Sequence, residues 1–209
     1  MNKSVIIEFY SKYSAHFDKK IGKLVNYNES YTNFVAIAKR KTSLLDLACG
    51  PGNVAAFIKS IIPGIEITCV DLSPEMLDLA QKKIGKGNFY QTDILNLDIP
   101  VRKYDLICCA FGLPYIKRVE IDKFVREVSR FAEKETLVYI SCMKGEAIEK
   151  EKMSFADNQT LLVQRYKKEE IIDNFQKYGF FLSSYNTLKY NEPDGNITTD
   201  MIFFFEKRN

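Results

Sequence analysis

The sequence predicts an α/β fold: a doubly wound, mostly parallel sheet of seven strands, closed by a C-terminal antiparallel hairpin and preceded by an N-terminal helical extension. Three observations predict it. From Ser43 onward, strand-like runs alternate with helical patterns, as in a parallel sheet wrapped by helices. The run Leu106–Ala110 is apolar at every position, which suits a strand buried on both faces. The last two apolar runs, residues 180–189 and 197–207, flank Asn191-Glu192-Pro193-Asp194-Gly195-Asn196, so their strands must be antiparallel.

The elements follow in order. Val5, Phe9, Tyr13, Phe17 and Ile21 recur every fourth residue beside Ile6 and Tyr10, predicting one amphipathic helix with a wide aromatic stripe. A second helix follows Asn28, with Tyr31, Phe34, Val35 and Ala38 on one face and the cations of residues 39–41 near its end. The first strand is residues 44–48. A helix over 53–62 stops at Pro63-Gly64, and the second strand, 65–70, leads into Asp71-Leu72-Ser73-Pro74. Ser73 as N-cap with Pro74 at the first helical position starts a helix over 75–84, ended by Gly85. Residues 88–91 form a short third strand and 106–110 the fourth. Ile121, Phe124, Val125, Val128 and Phe131 mark a helix, and 137–141 the fifth strand. Residues 144–160 read as polar and irregular, a lid or a short extra helix. Ile171, Ile172, Phe175 and Tyr178 mark a helix ending at Gly179, before the hairpin.

Composition narrows the class. In 209 residues, 30 Lys and Arg stand against 27 Asp and Glu, and 46% of the chain is hydrophobic, which excludes a disordered chain, a collagen or a disulfide miniprotein. The apolar runs fall short of the roughly 20 residues that span a bilayer, and no secretory core is seen at the N-terminus, so a cytoplasmic protein is expected. Cys49, Cys69, Cys108, Cys109 and Cys142 are odd in number and lack zinc-site spacing; they read as buried reduced thiols, and no metal is expected. Residues 1–43 carry eight basic residues against three acidic ones, a net +5 within a chain of net +3. That segment is a solvated helix face or a weak route to an anionic partner.

The most informative stretch is Asp46-Leu47-Ala48-Cys49-Gly50-Pro51-Gly52-Asn53-Val54-Ala55. A strand delivers the chain to a glycine turn that opens a helix, where backbone N–H groups can approach a ligand. Gly50, Gly52 and Ala55 satisfy the permissive dinucleotide fingerprint, and Asp71 lies about 20 residues on, so an NAD(P)-dependent oxidoreductase is an alternative. Three features favour another cofactor. Asp46 ends the first strand, where a carboxylate repels a pyrophosphate but suits an ammonium group. Pro51 removes an N–H donor. Asp93 follows the third strand in Thr92-Asp93-Ile94. Three aspartates at successive strand ends describe a cationic, sugar-bearing, phosphate-free cofactor.

Residues 46–53 resemble the first motif of the class I S-adenosylmethionine-dependent methyltransferases, usually D-x-G-x-G-x-G, with Ala48 where the first glycine commonly stands. The resemblance extends over residues 43–207, through Val70-Asp71-Leu72-Ser73-Pro74-Glu75-Met76-Leu77, Thr92-Asp93-Ile94, Tyr104-Asp105-Leu106-Ile107 and the closing antiparallel strand. It implies a Rossmann-like core and S-adenosylmethionine as cofactor. Asp46, Ala48 and the backbone of Gly50 and Gly52 would face the methionine portion, and Asp71 would accept both ribose hydroxyls. Leu72 and Met76 would flank the adenine, with Asp93 and the Ile94 N–H reading its edge, and Ala110 would border the cofactor.

Tyr10-Ser11-Lys12-Tyr13-Ser14-Ala15-His16-Phe17-Asp18 is similar to the Y-D-x-x-A-x-x-Y-D segment that precedes the core in many small-molecule methyltransferases; Ser11 and Ser14 depart from it. The resemblance implies a lid over residues 1–42 on a core of 43–209, one domain overall. The ring of Tyr10 or Tyr13 would face the sulfonium. His16, the only histidine, is the candidate general base, and Tyr115 the residue that orients substrate. Phe111-Gly112-Leu113-Pro114-Tyr115 lacks the polar residue and second proline typical of enzymes that methylate nucleic-acid amino groups, which disfavours a nucleic-acid partner. The expected acceptor is a small molecule. A silent fold that binds S-adenosylmethionine without catalysis is the remaining alternative.

Overall fold

The computed structural model describes residues 2–22, 25–157, 159–191 and 197–208. In chain order the helices are α1 (Lys3–Lys12), α2 (Ser14–Ile21), α3 (Asn28–Ile37), α4 (Asn53–Ile61), α5 (Pro74–Ile84), α6 (Ile121–Phe131) and α7 (Lys168–Gln176). The strands are β1 (Ser43–Leu47), β2 (Glu66–Asp71), β3 (Asn88–Gln91), β4 (Leu106–Ala110), β5 (Leu137–Met143), β6 (Ile148–Met153), β7 (Gln159–Gln164), β8 (Phe180–Asn191) and β9 (Ile197–Lys207).

Seven strands form one sheet in the order β3-β2-β1-β4-β5-β9-β8. The first five run parallel, and β9 enters antiparallel between β5 and β8, pairing Val138 with Phe205 and Leu182 with Phe205 from either side. Side chains alternate between the two faces, as the period of a strand requires. Ile107, Cys109, Val138, Ile140, Phe203 and Phe205 pack with α6 and α7, while Leu106, Cys108, Tyr139, Ile202 and Phe204 pack with α3, α4 and α5. The β4 side chains are apolar because both faces are covered. The expected turn of residues 192–196 lies outside the described residues, but the antiparallel pairing it implied is present.

Three expectations need correction. The N-terminal helix is two helices, broken at Tyr13 (φ −106°, ψ 15°), whose buried ring packs with Phe9, Met153, Leu161 and Val163 instead of continuing the stripe. The described residues of 144–160 form no helix. They contain β6 and the start of β7, a two-stranded hairpin pairing Glu151 with Leu161 and Glu149 with Val163. On β7 the alternation buries Leu161 and Val163, while Glu149 and Glu151 of β6 are held by Arg165 at 2.6 and 3.0 Å. Of the expected 1–42 lid, α3 lies in the buried layer through Phe34 and Val35, and the cations beyond it do not cap its end. Lys39 pairs with Glu206 (3.0 Å) and Arg40 with Glu133 (2.8 Å) and Asp105 (3.3 Å). All five cysteines are buried and free.

Candidate active site

The loop after β1 is built from left-handed backbone: Ala48 has φ 53°, Gly50 φ 53° and Gly52 φ 76°. For alanine that conformation costs about 1–2 kcal/mol, so Ala48 holds a backbone that glycine would adopt without strain. Its methyl is accommodated by Gly112, where a Cβ would come 2.9 Å from the Ala48 Cβ and 2.6 Å from the Cys109 Sγ. Gly52 serves packing instead of ligand approach. A Cβ there would meet Ala80 and Ile84 of α5 at 2.9 Å, and Gly52 is absent from the cavity wall.

The three strand-end aspartates open onto one cavity of about 500 Å³. Asp46 is 1% exposed, and burial, reinforced by the Asp71 charge, pushes its carboxyl up to about 7 against the lowering effect of a hydrogen bond from the Ala55 N–H. Among the described residues its Oδ2 has no partner. A buried carboxylate oxygen left unpaired is costly, and a cationic ligand would relieve that cost. Asp71 accepts from the Gly50 N–H at 2.8 Å and the Ser73 N–H at 2.9 Å, so it ties the glycine loop to the end of β2; burial raises its carboxyl too. Asp93 accepts from the Leu95 N–H at 2.9 Å and pairs with Lys3 of α1 at 2.5 Å. Turn formation and ligand binding are compatible here, because a carboxylate has about four acceptor sites. Leu72, Met76, Ile94, Ala48, Gly50 and Ala110 line the same cavity.

Above it sit α1, α2 and the β6–β7 hairpin. The ring of Tyr10 packs edge-on against Phe17 (5.2 Å between centroids) and Tyr115 (5.5 Å), and beside Phe155 (6.1 Å). The Tyr10 and Tyr115 hydroxyls share a hydrogen bond, and burial raises both phenols, Tyr115 to about 12. The cover is fastened by polar contacts: Lys3 to Asp93, Ser11 to Ser73 (3.0 Å), Asp18 to Lys83, and Lys20 to Ser154 (2.6 Å).

Besides Gly52, two predicted site residues are not brought here. His16 is exposed and outside the cavity wall, its ring against Tyr13, because the break at Tyr13 turns that face of α2 to solvent. Tyr13 is buried against the hairpin, which leaves Tyr10 as the ring facing the cavity. Sequence reasoning missed Phe155, Met143, Met153 and Glu151, which come from β5, the hairpin and its turn. Their only sequence signal was an apolar Met153 and Phe155 within a charged stretch. It also missed Tyr31, Phe57 and Phe111, which line the cavity on the α3 and α4 side. No group of three or more His, Cys, Asp and Glu side chains suited to a metal occurs among the described residues.

Comparison with known proteins adds two kinds of likeness. Residues 44–135 match the family model described as a methyltransferase domain. The demethylmenaquinone methyltransferase of Thermotoga maritima is 44% identical over 69 residues, 33% of this chain and 30% of that protein. The chain thus aligns with about a third of the length of the curated relatives it matches. Solved structures extend the fold likeness over nearly the whole chain. An S-adenosylmethionine-dependent methyltransferase from Clostridium acetobutylicum superposes with a TM-score of 0.71 at 20% identity, covering 96% of this chain and 99% of that one. The magnesium protoporphyrin IX methyltransferase of Synechocystis, with bound S-adenosylhomocysteine, gives 0.73 at 14% identity, covering 99% of each. The sequence likeness falls on the stretch that carries all three strand-end aspartates, and the fold likeness takes in the antiparallel β9 beyond it. Residues 44–135 are thus similar to a methyltransferase domain, and nearly the whole chain has the fold of solved S-adenosylmethionine-dependent methyltransferases.

Proposed function

We propose that the chain binds S-adenosylmethionine in the 500 Å³ cavity and transfers its methyl group to a small-molecule acceptor enclosed beneath α1, α2 and the β6–β7 hairpin. The observation that supports the reading is the unpartnered Oδ2 of buried Asp46, a carboxyl that a cationic ligand would hold ionised, in a wall rich in apolar groups. Asp46 would take the ammonium, Asp71 the ribose hydroxyls and Asp93 the adenine amine, with Leu72 and Met76 against the base and Ala48, Gly50, Ile94 and Ala110 along its length. Lys3 would then share Asp93 with the ligand or yield it. When bound, S-adenosylmethionine supplies a methyl carbon already activated by its sulfonium. The chain's own work is to align the acceptor and exclude water. Phe17, Phe155 and Tyr10 close the roof, Tyr10 presents its ring to the cation, and Tyr115 orients the acceptor. His16 contributes no base. The lid of this reading is α1 and α2 with the hairpin, on a core that includes α3.

Small molecules are favoured as acceptors because the chamber is roofed on two sides. A cytoplasmic setting is part of the proposal, supported by five free buried thiols; no helix among the described residues is long and apolar enough to cross a membrane. Thermal denaturation tests the cofactor. S-adenosylhomocysteine should raise the melting temperature and NAD or NADP should not; the reverse would return the oxidoreductase alternative. Labelled methyl from S-adenosylmethionine should enter the small-molecule fraction of a cell extract. Binding without transfer to any fraction would leave a silent binding fold.

A further inference from the structure

Tyr10 comes from the lid and Tyr115 from the turn after β4, and their hydroxyls meet at the roof of the cavity. Each phenol carries one proton, so a pair that shares one hydrogen bond keeps a second O–H to donate. Among the described residues neither hydroxyl has another hydrogen-bond partner. Burial holds both phenols in the protonated form at neutral pH, so the pair donates and does not serve as a base. Among the described residues no free base stands beside the pair. His16 lies outside the cavity, Asp46, Asp71 and Asp93 stand at the sheet edge, and Glu151, which faces the pair from β6, is engaged by Arg165 at 3.0 Å. The nearby walls are aromatic rings and thioethers, with Phe17 and Phe155 at 5.0 Å and Met143 and Met153 beside them. Two cations stand on the same wall: Lys152, and Lys20, whose ammonium lies 5.6 Å from the Phe155 ring centre.

We propose that this chamber takes a planar hydroxyarene, of the phenol or quinol class, and that the Tyr10–Tyr115 pair holds its oxygen as the anion. The inference rests on the S-adenosylmethionine reading above. The acceptor O–H bond breaks heterolytically, its proton passes to water at the cavity mouth, and the electron pair stays on the oxygen that accepts from the phenol pair. Hydrogen bonds to the charged form favour that form, so the pair does the work that a general base would otherwise do. Apolar rings and thioethers around an O–H donor pair suit an aromatic acceptor better than an aliphatic amine, which would need an unengaged carboxylate.

The test uses 4-nitrophenol and 4-nitro-1-naphthol, whose anions absorb in the visible, titrated into the full chain saturated with S-adenosylhomocysteine. Calorimetry of S-adenosylhomocysteine comes first: no binding there overturns the cofactor reading itself. With that binding present, the ionisation midpoint of at least one bound probe should fall by about one pH unit, a tenfold rise in acid constant. Tyr115→Phe should abolish the shift while S-adenosylhomocysteine affinity changes less than about twofold and the melting temperature is kept. Tyr10→Phe, which breaks the shared hydrogen bond, should also diminish the shift. Probes that bind with unmoved midpoints, that fail to bind, or that are displaced by 4-nitrobenzylamine would overturn the proposal and leave the cofactor reading standing.

Discussion

Asp46 is a buried carboxyl with one oxygen left unpartnered among the described residues. Its folded carboxyl titrates near 7 against 3.8 for the free group, so the folded state binds its proton more tightly than the unfolded chain. Stability from this residue is therefore present below about pH 4 and is lost as pH rises towards 7, by up to about 4 kcal/mol. Asp46→Asn should stabilise the ligand-free protein at pH 8 and lose that advantage near pH 4, measured by urea denaturation. The same ionisation sets ligand affinity. Only the carboxylate attracts an ammonium, so S-adenosylhomocysteine should bind up to tenfold more weakly per pH unit below 7, and the Asn variant should show little of that slope. Gly112→Ala would drive a Cβ into Cys109 and Ala48 and should cost about 1–3 kcal/mol of stability. Asp46, Asp71 and Asp93 were legible because a strand end fixes where a side chain points. Gly52 was misread because the same residue type serves close ligand approach and close helix packing, and only the distance to Ala80 tells them apart.

At the scale of elements, the core was readable and its cover was not. Ser73 accepts from the Met76 N–H with Pro74 following, as the sequence had it, and α6 keeps its buried stripe of Phe124, Val125, Val128 and Phe131. These signals are local. The β6 strand, Ile-Glu-Lys-Glu-Lys-Met, carries charge on nearly every residue, and its pairing depends on Arg165 beyond the end of β7. The break at Tyr13 likewise depends on a pocket supplied by the distant Met153, Leu161 and Val163. Long-range partners decide both, and periodicity carries no record of them. The cover is also lightly fastened. Lys83 holds Asp18 of α2 and Asn53 at a partly exposed site, so Lys83→Ala should cost under about 1 kcal/mol of global stability. Its larger effect should be on the dissociation rate of S-adenosylhomocysteine, raised several-fold in stopped-flow measurements, with hydrogen exchange faster in α1 and α2.

Across the whole molecule, part of the basic excess of the N-terminal segment is paired with the rest of the fold at its surface. Lys3, Lys39 and Arg40 meet carboxylates of the core, and Lys20 closes on the hairpin beside the cavity. These contacts clasp the segment to an acidic core. The five thiols report on the integrity of that core. Each is buried, and Cys108, Cys109 and Cys142 are raised chiefly by burial, so none should react with a thiol reagent within minutes in the native state at pH 8, and all should react in denaturant. If the three strand-end aspartates hold S-adenosylmethionine, calorimetry of S-adenosylhomocysteine against the unaltered chain and Asp71→Ala will show it. Measurable binding to the unaltered chain is expected, with a loss of about 1–3 kcal/mol in the variant, roughly 5- to 150-fold in affinity. No binding to the unaltered chain, or equal affinity in the two, would contradict it.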